Sequence, residues 1–339
     1  VQLKVTDPTY LPPERPGPLD AAILRLLLDP RDLPLVHLIL KFSVLVHPFA
    51  LYLYWKRDFS PWLGALYYFV AMGIFFGPAV LMHHNSSHRP LLRPGHAWLS
   101  RLIQWGICPF VGLTPGTYYA HHIGMHHAEN NLPDDLSSTM VYRRDSFFDF
   151  LRYAGSFYLS GIPRLLAYFR DRKRWKLYRK VWLGELAYYL ALAALLALDW
   201  RATLVVFVLP LVGARFNLMM GNWTQHAFVD PSDPGNPYRN STTCINTFYN
   251  RVCFNDGYHI GHHVKATRHW SEMPGDFERN RESYAREGAV VFDGIDYVAV
   301  WLNLMLKRYD WLAGKLARLD DTPREALVAR LRQRTRPIA

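Results

Sequence analysis

The residues in this chain most able to do chemistry are its histidines. Eleven of fifteen fall in four short stretches: HHNSSH at 83–88, HHIGMHH at 121–127, a single His226, and HIGHH at 259–263. Apolar packing does not select imidazole so densely, whereas a transition-metal site does. His84 and His88 stand one helical turn apart, so both rings leave one face. His122 and His126 repeat that interval and His127 adds a neighbour aimed elsewhere; His259, His262 and His263 do the same at three and four. An adjacent histidine points about 100° away, so one short helix can feed two ions.

Nine histidines, namely His84, His88, His122, His126, His127, His226, His259, His262 and His263, are therefore the expected metal ligands. Nine exceed the needs of one tetrahedral zinc and suit two ions of five or six coordination with exchangeable positions. Imidazole accepts Zn, Cu, Fe and Ni, so ligand type leaves the metal open. A dinuclear site of neutral ligands with open positions fits dioxygen activation by iron, and copper stays open on ligand grounds. A zinc hydrolase needs one metal and a general base. His83 and His121 double their better-spaced neighbours and leave each stretch ambiguous by one residue. His37 and His47 sit singly on an apolar run and are expected to pack or hydrogen-bond. His96 and His269 are solitary in polar surroundings and are expected to be solvated.

The elements that must carry these rings are apolar. From Pro61 to Met82 no residue is charged, a run of 22, which as a helix spans ~33 Å against a bilayer core of ~30 Å. Residues 35–55 are nearly as apolar, broken by His37, Lys41 and His47, and the link 56–60 makes the two runs an antiparallel hairpin. Residues 181–198 and 202–220, joined by Asp199-Trp200-Arg201, form a second hairpin, marred by Glu185 and Arg215 near one end. Trp and Tyr flank all four runs, as in interfacial belts. Between the hairpins, 164–180 carries eight Lys and Arg residues, which by the positive-inside rule is cytoplasmic. With that orientation all four histidine stretches reach one cytoplasmic side. Residues 98–119 and 147–169, apolar but interrupted by charges and prolines, read as helices lying in the interface.

The expected fold is thus an all-α integral membrane protein: two transmembrane hairpins, interfacial helices and a cytoplasmic helical cap. Its parts are an N-terminal cytoplasmic segment (1–32), a four-span region (33–226) and the cap (227–339). The cap reads as soluble in character, with a capping box at Thr322-Pro323-Arg324-Glu325 opening its last helix.

The same residues resemble the membrane fatty acid desaturase/hydroxylase superfamily, non-haem di-iron oxygenases whose three boxes read H-x3/4-H, H-x2/3-HH and H-x2-HH. Here they stand as His84-Asn-Ser-Ser-His88, His122-Ile-Gly-Met-His126-His127 and His259-Ile-Gly-His262-His263. Asn222-Trp-Thr-Gln-His226 matches the Asn-x3-His of the stearoyl-CoA branch, which implies that Asn222 reaches a metal through water. The likeness covers about residues 33–270, including the order of spans and boxes. Asn130, Asn131, Asp134 and Asp135 look like the polar groups that orient ligating imidazoles in this family.

The resemblance implies two iron ions, with zinc taking their place in recombinant protein, dioxygen as co-substrate, and oxidation of an unactivated C–H bond in a long-chain fatty acid, acyl thioester or acyl lipid. Desaturation is the leading outcome. A fatty acyl or alkane hydroxylase and a terminal-alkene-forming decarboxylase are alternatives on the same site; a zinc-dependent membrane lipid hydrolase is the alternative of another class. No bound haem, flavin or nucleotide is expected, and no His-Pro-Gly-Gly motif of a fused cytochrome b5 domain occurs. Electrons then come from a separate acidic donor of ferredoxin, rubredoxin or cytochrome b5 type, in keeping with a net charge of +11.

That charge also suits acidic headgroups; its basic run lies between membrane segments, which argues against nucleic acid. Cys108, Cys244 and Cys253 lack the spacing of a disulfide scaffold or a thiolate zinc site and fit a reducing compartment. Residues 1–20, with Asp7, Glu14, Asp20 and five prolines, contain no signal-peptide core.

Overall fold

The computed structural model describes residues 3–56 and 58–338. Val1, Gln2, Arg57 of the first hairpin link, and Ala339 lie outside the described residues. Four helices are long and apolar enough to cross a membrane: Pro30–Trp55, Pro61–His88, Trp175–Leu198 and Trp200–Gln225. Their starts are locally encoded. Ser60 Oγ accepts from the Leu63 N–H ahead of the second, and Asp199 Oδ1 accepts from the N–H groups of Arg201 and Ala202 ahead of the fourth. Each cap satisfies N–H groups that have no partner inside the helix. Large apolar side chains such as Leu51, Trp62, Leu190 and Leu198 stay exposed along these helices, the pattern of a surface that lipid covers.

The chain divides into two compact units. The span unit comprises Tyr10–Gly124 and Leu166–Arg215. The strand unit comprises Met125–Leu165 and the chain from Phe216 onward, together with the segment ending at Thr9.

In the span unit, close backbone approach replaces side-chain packing at two glycines. A Cβ on Gly184 would run into the Pro115 carbonyl oxygen. One on Gly112, which also has φ +78°, would strike the Pro210 carbonyl. The stretch expected as helical over 98–119 is broken into short helical segments, Pro94–Ser100, Ile103–Ile107 and Cys108–Val111. Pro109 and Pro115 prevent a continuous ladder. Ile103, Ile107, Cys108, Val111 and Leu113 are buried. His37 and His47 are hydrogen-bonded, as expected, to Asp20 Oδ1 at 2.7 Å and to the Gly106 carbonyl at 2.8 Å. Glu185 and Arg215 face one another at 4.0 Å, and the Glu185 carboxylate also accepts from the hydroxyls of Thr114 and Thr117.

The strand unit departs from an all-α expectation. Thr242–Ile245 and Val290–Asp293 pair in parallel, with Thr242 opposite Val290. Both strands are almost wholly buried, as parallel strands covered on both faces must be. Phe228, Phe292, Leu304, Leu312 and Leu331 build the core beside them. The N-terminal segment is tied in by Asp7, whose carboxylate accepts from Asn246 N–H, Thr247 N–H and the Tyr258 hydroxyl. The expected capping box does not form: the last helix runs Arg324–Arg334 with Pro323 as N-cap and no side-chain cap. Thr322 lies one residue upstream, its N–H engaged by Asp320.

Candidate metal centre

The second histidine stretch lies on one helical run, Thr117–His121 continuing through a π turn at His122–His126 into His127–Glu129. The expectation that these two share one ion is corrected: they belong to different groups.

His122 gathers in the span unit with His84 and His88, which end the second long helix. Ring centroids lie 4.5 Å (His84 to His122) and 5.0 Å (His88 to His122) apart, and the Nε2 atoms of His88 and His122 are 2.9 Å apart. Tyr118 stacks on His122 at 5.4 Å.

His126 gathers in the strand unit with His226, His259 and His263, one donor nitrogen from each lying within 4.8 Å of the others. His226 closes the fourth long helix through its N–H to the Asn222 carbonyl. His259 and His263 come from the helix His259–Val264, one turn apart on one face as expected. Nε2 of His259 lies 3.0 Å from that of His263 and 3.3 Å from that of His226. His262, the odd neighbour, pairs with His127, Nε2 to Nε2 at 2.9 Å.

Orientation comes from hydrogen bonds on the far ring nitrogens. His226 Nδ1 is 2.9 Å from the Asn240 carbonyl oxygen. A carbonyl only accepts, so Nδ1 carries the proton and the Nε2 lone pair turns toward the group. His126 Nδ1 is likewise 2.7 Å from Asp135 Oδ2. Burial drives the His226 pKa down to about 4, with His126 adding to the effect. Burial, and then His259, His127, His226 and His126, hold His263 well below the ordinary range. Both are neutral near pH 7, the form that ligates.

The polar tract after the second stretch resolves into distinct tasks. Asn131 and Asn130 take positive φ. The Asn131 amide donates to Asn240 Oδ1, and the Asn240 amide donates to the Asn130 carbonyl. Asn222 Nδ2 donates to the Ser137 carbonyl and the Tyr153 hydroxyl. Asn240, the last residue of the short helix Pro237–Asn240, was not legible as a site residue, since nothing fourteen residues beyond His226 marks it. Among the described residues, His83 and His121 join neither group; His83 is buried beside Tyr118 instead. His269, expected to be solvated, is 2% exposed and accepts from the Ser271 N–H, capping the turn that follows it.

These donor sets fit transition metals. They consist of imidazole nitrogens alone, and lone pairs facing each other near 3 Å repel unless a proton or a cation lies between them. Four apolar helices and clustered imidazoles are the features of an integral membrane protein with histidine groups able to hold metal. A family model described as fatty acid desaturase matches residues 60–294, more than half of the chain, and the chain belongs to that family. It is accordingly an oxidoreductase acting on fatty acyl chains. No curated protein matches it significantly.

Proposed function

We propose that this protein desaturates long-chain fatty acyl substrates with dioxygen at a pair of iron ions. The observation that carries the reading is the convergence of His126, His226, His259 and His263 with no thiolate or carboxylate among them. These four hold one ion, with Asn222 acting on it through a water. The Asn222 amide nitrogen is already engaged, which leaves the carboxamide oxygen for that water. The other proposed ligands are His84, His88 and His122 in the span unit and His127 and His262 in the strand unit. The run Thr117–Glu129 supports this division, because it supplies His122 to one group and His126 and His127 to the others on one continuous helix.

When bound, the two irons supply the dioxygen activation needed to take hydrogen from an unactivated carbon. The protein's own task is positional. Asp135 and the Asn240 carbonyl fix the tautomers of His126 and His226, so no reorientation is required when metal binds. Nine imidazoles shared between two ions leave coordination positions open for exchange.

In the same reading residues 1–32, 33–226 and 227–339 are the cytoplasmic segment, the membrane region and the cap. The active site faces the cytoplasm, on the side of the basic run 164–180. A separate acidic ferredoxin, rubredoxin or cytochrome b5 supplies electrons. The test is incubation of purified protein with fatty acyl substrate, dioxygen and a reduced donor, followed by mass spectrometry. A product two hydrogens lighter supports desaturation. A product one oxygen heavier, or an alkene one carbon shorter, assigns the alternative outcome, and turnover without oxygen overturns the reading in favour of a zinc hydrolase. Two irons per chain, counted in protein from its native host, are expected alongside.

A further inference from the structure

We propose that the helix Tyr297–Met305 is a membrane-contacting element that lies at the headgroup–acyl boundary of an anionic bilayer. This differs from the soluble character expected of residues 227–339. The helix reads YVAVWLNLM, and Asn303, its one amide side chain, is buried with its Nδ2 donating to the Ala299 carbonyl. Val298, Leu302 and Leu306 are 55%, 51% and 52% exposed. At intervals of four they form a single stripe. Bare apolar stripes of this kind mark interaction surfaces.

Two observations assign lipid as the occupant. The first is continuity. On the inner side of the same helix, Trp301 packs edge-on against Phe150 at 5.1 Å and Phe216 at 6.4 Å, and those two rings meet at 5.6 Å. Phe216 belongs to the fourth long apolar helix and is itself exposed, as are Phe147, Phe148 and Leu151 beside Phe150. The stripe therefore extends an apolar surface that begins on a membrane-crossing helix. The second is charge. The helix ends in a left-handed turn at Lys307 (φ +54°), and Lys307 and Arg308 are both exposed. Exposed Arg143 and Arg152 flank the phenylalanines, paired with Asp145 and Asp149, so the net positive charge of the rim is that of Lys307 and Arg308. Apolar side chains rimmed by cations match the boundary of a negatively charged leaflet.

The inference rests on membrane insertion of the chain and not on the iron reading. It is tested on full-length protein in nanodiscs containing phosphatidylglycerol, with a spin label on Leu302→Cys. Cys108, Cys244 and Cys253 are buried, which favours labelling of the new thiol. Leu306→Cys serves as a second position should the first variant fold poorly. Labels on Leu190→Cys in the third long helix and on Glu325→Cys at an exposed polar site give lipid and water references. The expected result is a ratio of oxygen to aqueous nickel-chelate relaxation several-fold above that at 325 and close to that at 190. A ratio equal to that at 325 overturns the proposal. Protection from both agents, with dipolar broadening removed by dilution with unlabelled protein, also overturns it and assigns the face to a second copy. Lys307→Glu with Arg308→Glu should lower the ratio in anionic discs and leave it unchanged in phosphatidylcholine discs; no effect in anionic discs overturns the headgroup assignment.

Discussion

Asp135 Oδ2 stands 2.7 Å from Nδ1 of His126, and the same carboxylate accepts from the N–H groups of Asn131 and Ser137 and from the Ser137 hydroxyl. With both oxygens engaged by donors, it is held as an acceptor-only anion. The His126 ring is thereby locked with its Nε2 lone pair facing the other imidazoles. Asp135→Asn should weaken metal retention about 10–100-fold, the usual cost of losing such a partner. Competition with a graded series of chelators measures it; retention equal to wild type would refute the orienting role.

His262 pairs with His127 at 2.9 Å and is buried. His262→Ala should abolish turnover and leave the protein folded and membrane-inserted. The measurement is product formation beside size-exclusion behaviour in detergent. Activity within about tenfold of wild type would count against its role as a ligand.

Glu185 and Arg215 form a largely enclosed pair in the span unit, with Thr114 and Thr117 completing the Glu185 contacts. Removing one buried charge strands the other, at about 3–5 kcal/mol. Glu185→Leu should therefore lower the melting temperature in detergent clearly, and Glu185→Leu with Arg215→Met should recover part of the loss. Equal loss in single and double variants would show that the ion pair contributes nothing of its own.

Gly184 lies where the third long helix meets the Pro115 carbonyl. Gly184→Ala should destabilise by roughly 1–3 kcal/mol or more, since rigid backbone cannot yield as a side chain does. Gly155→Ala, which points into open space, should be tolerated. Comparable thermal stability of the two variants would contradict the close approach.

Much of this protein was readable along the chain, because the signals are local. A run of 22 uncharged residues at 61–82 can satisfy its backbone only as a helix. The interval of His259 to His263 places two rings on one helical face wherever that helix lies. Grouping was not local. His122 and His126 have the same interval, yet they belong to different groups. Which rings meet depends on contacts distant in sequence, and spacing carries no marker for those.

The orienting contacts were equally hidden. The Asn240 carbonyl acts through backbone, which any residue supplies, and the fold brings it to His226 from fourteen residues along the chain. The strands at 242–245 and 290–293 are four residues each and pair over a long separation, too short to announce themselves by period. Nothing in the sequence marks the stripe of Val298, Leu302 and Leu306 as bare; only the structure leaves it so. Composition and spacing thus decided which residues form helices and which offer candidate ligands. Long-range packing decided which rings meet, which protons they hold and which apolar faces remain for lipid.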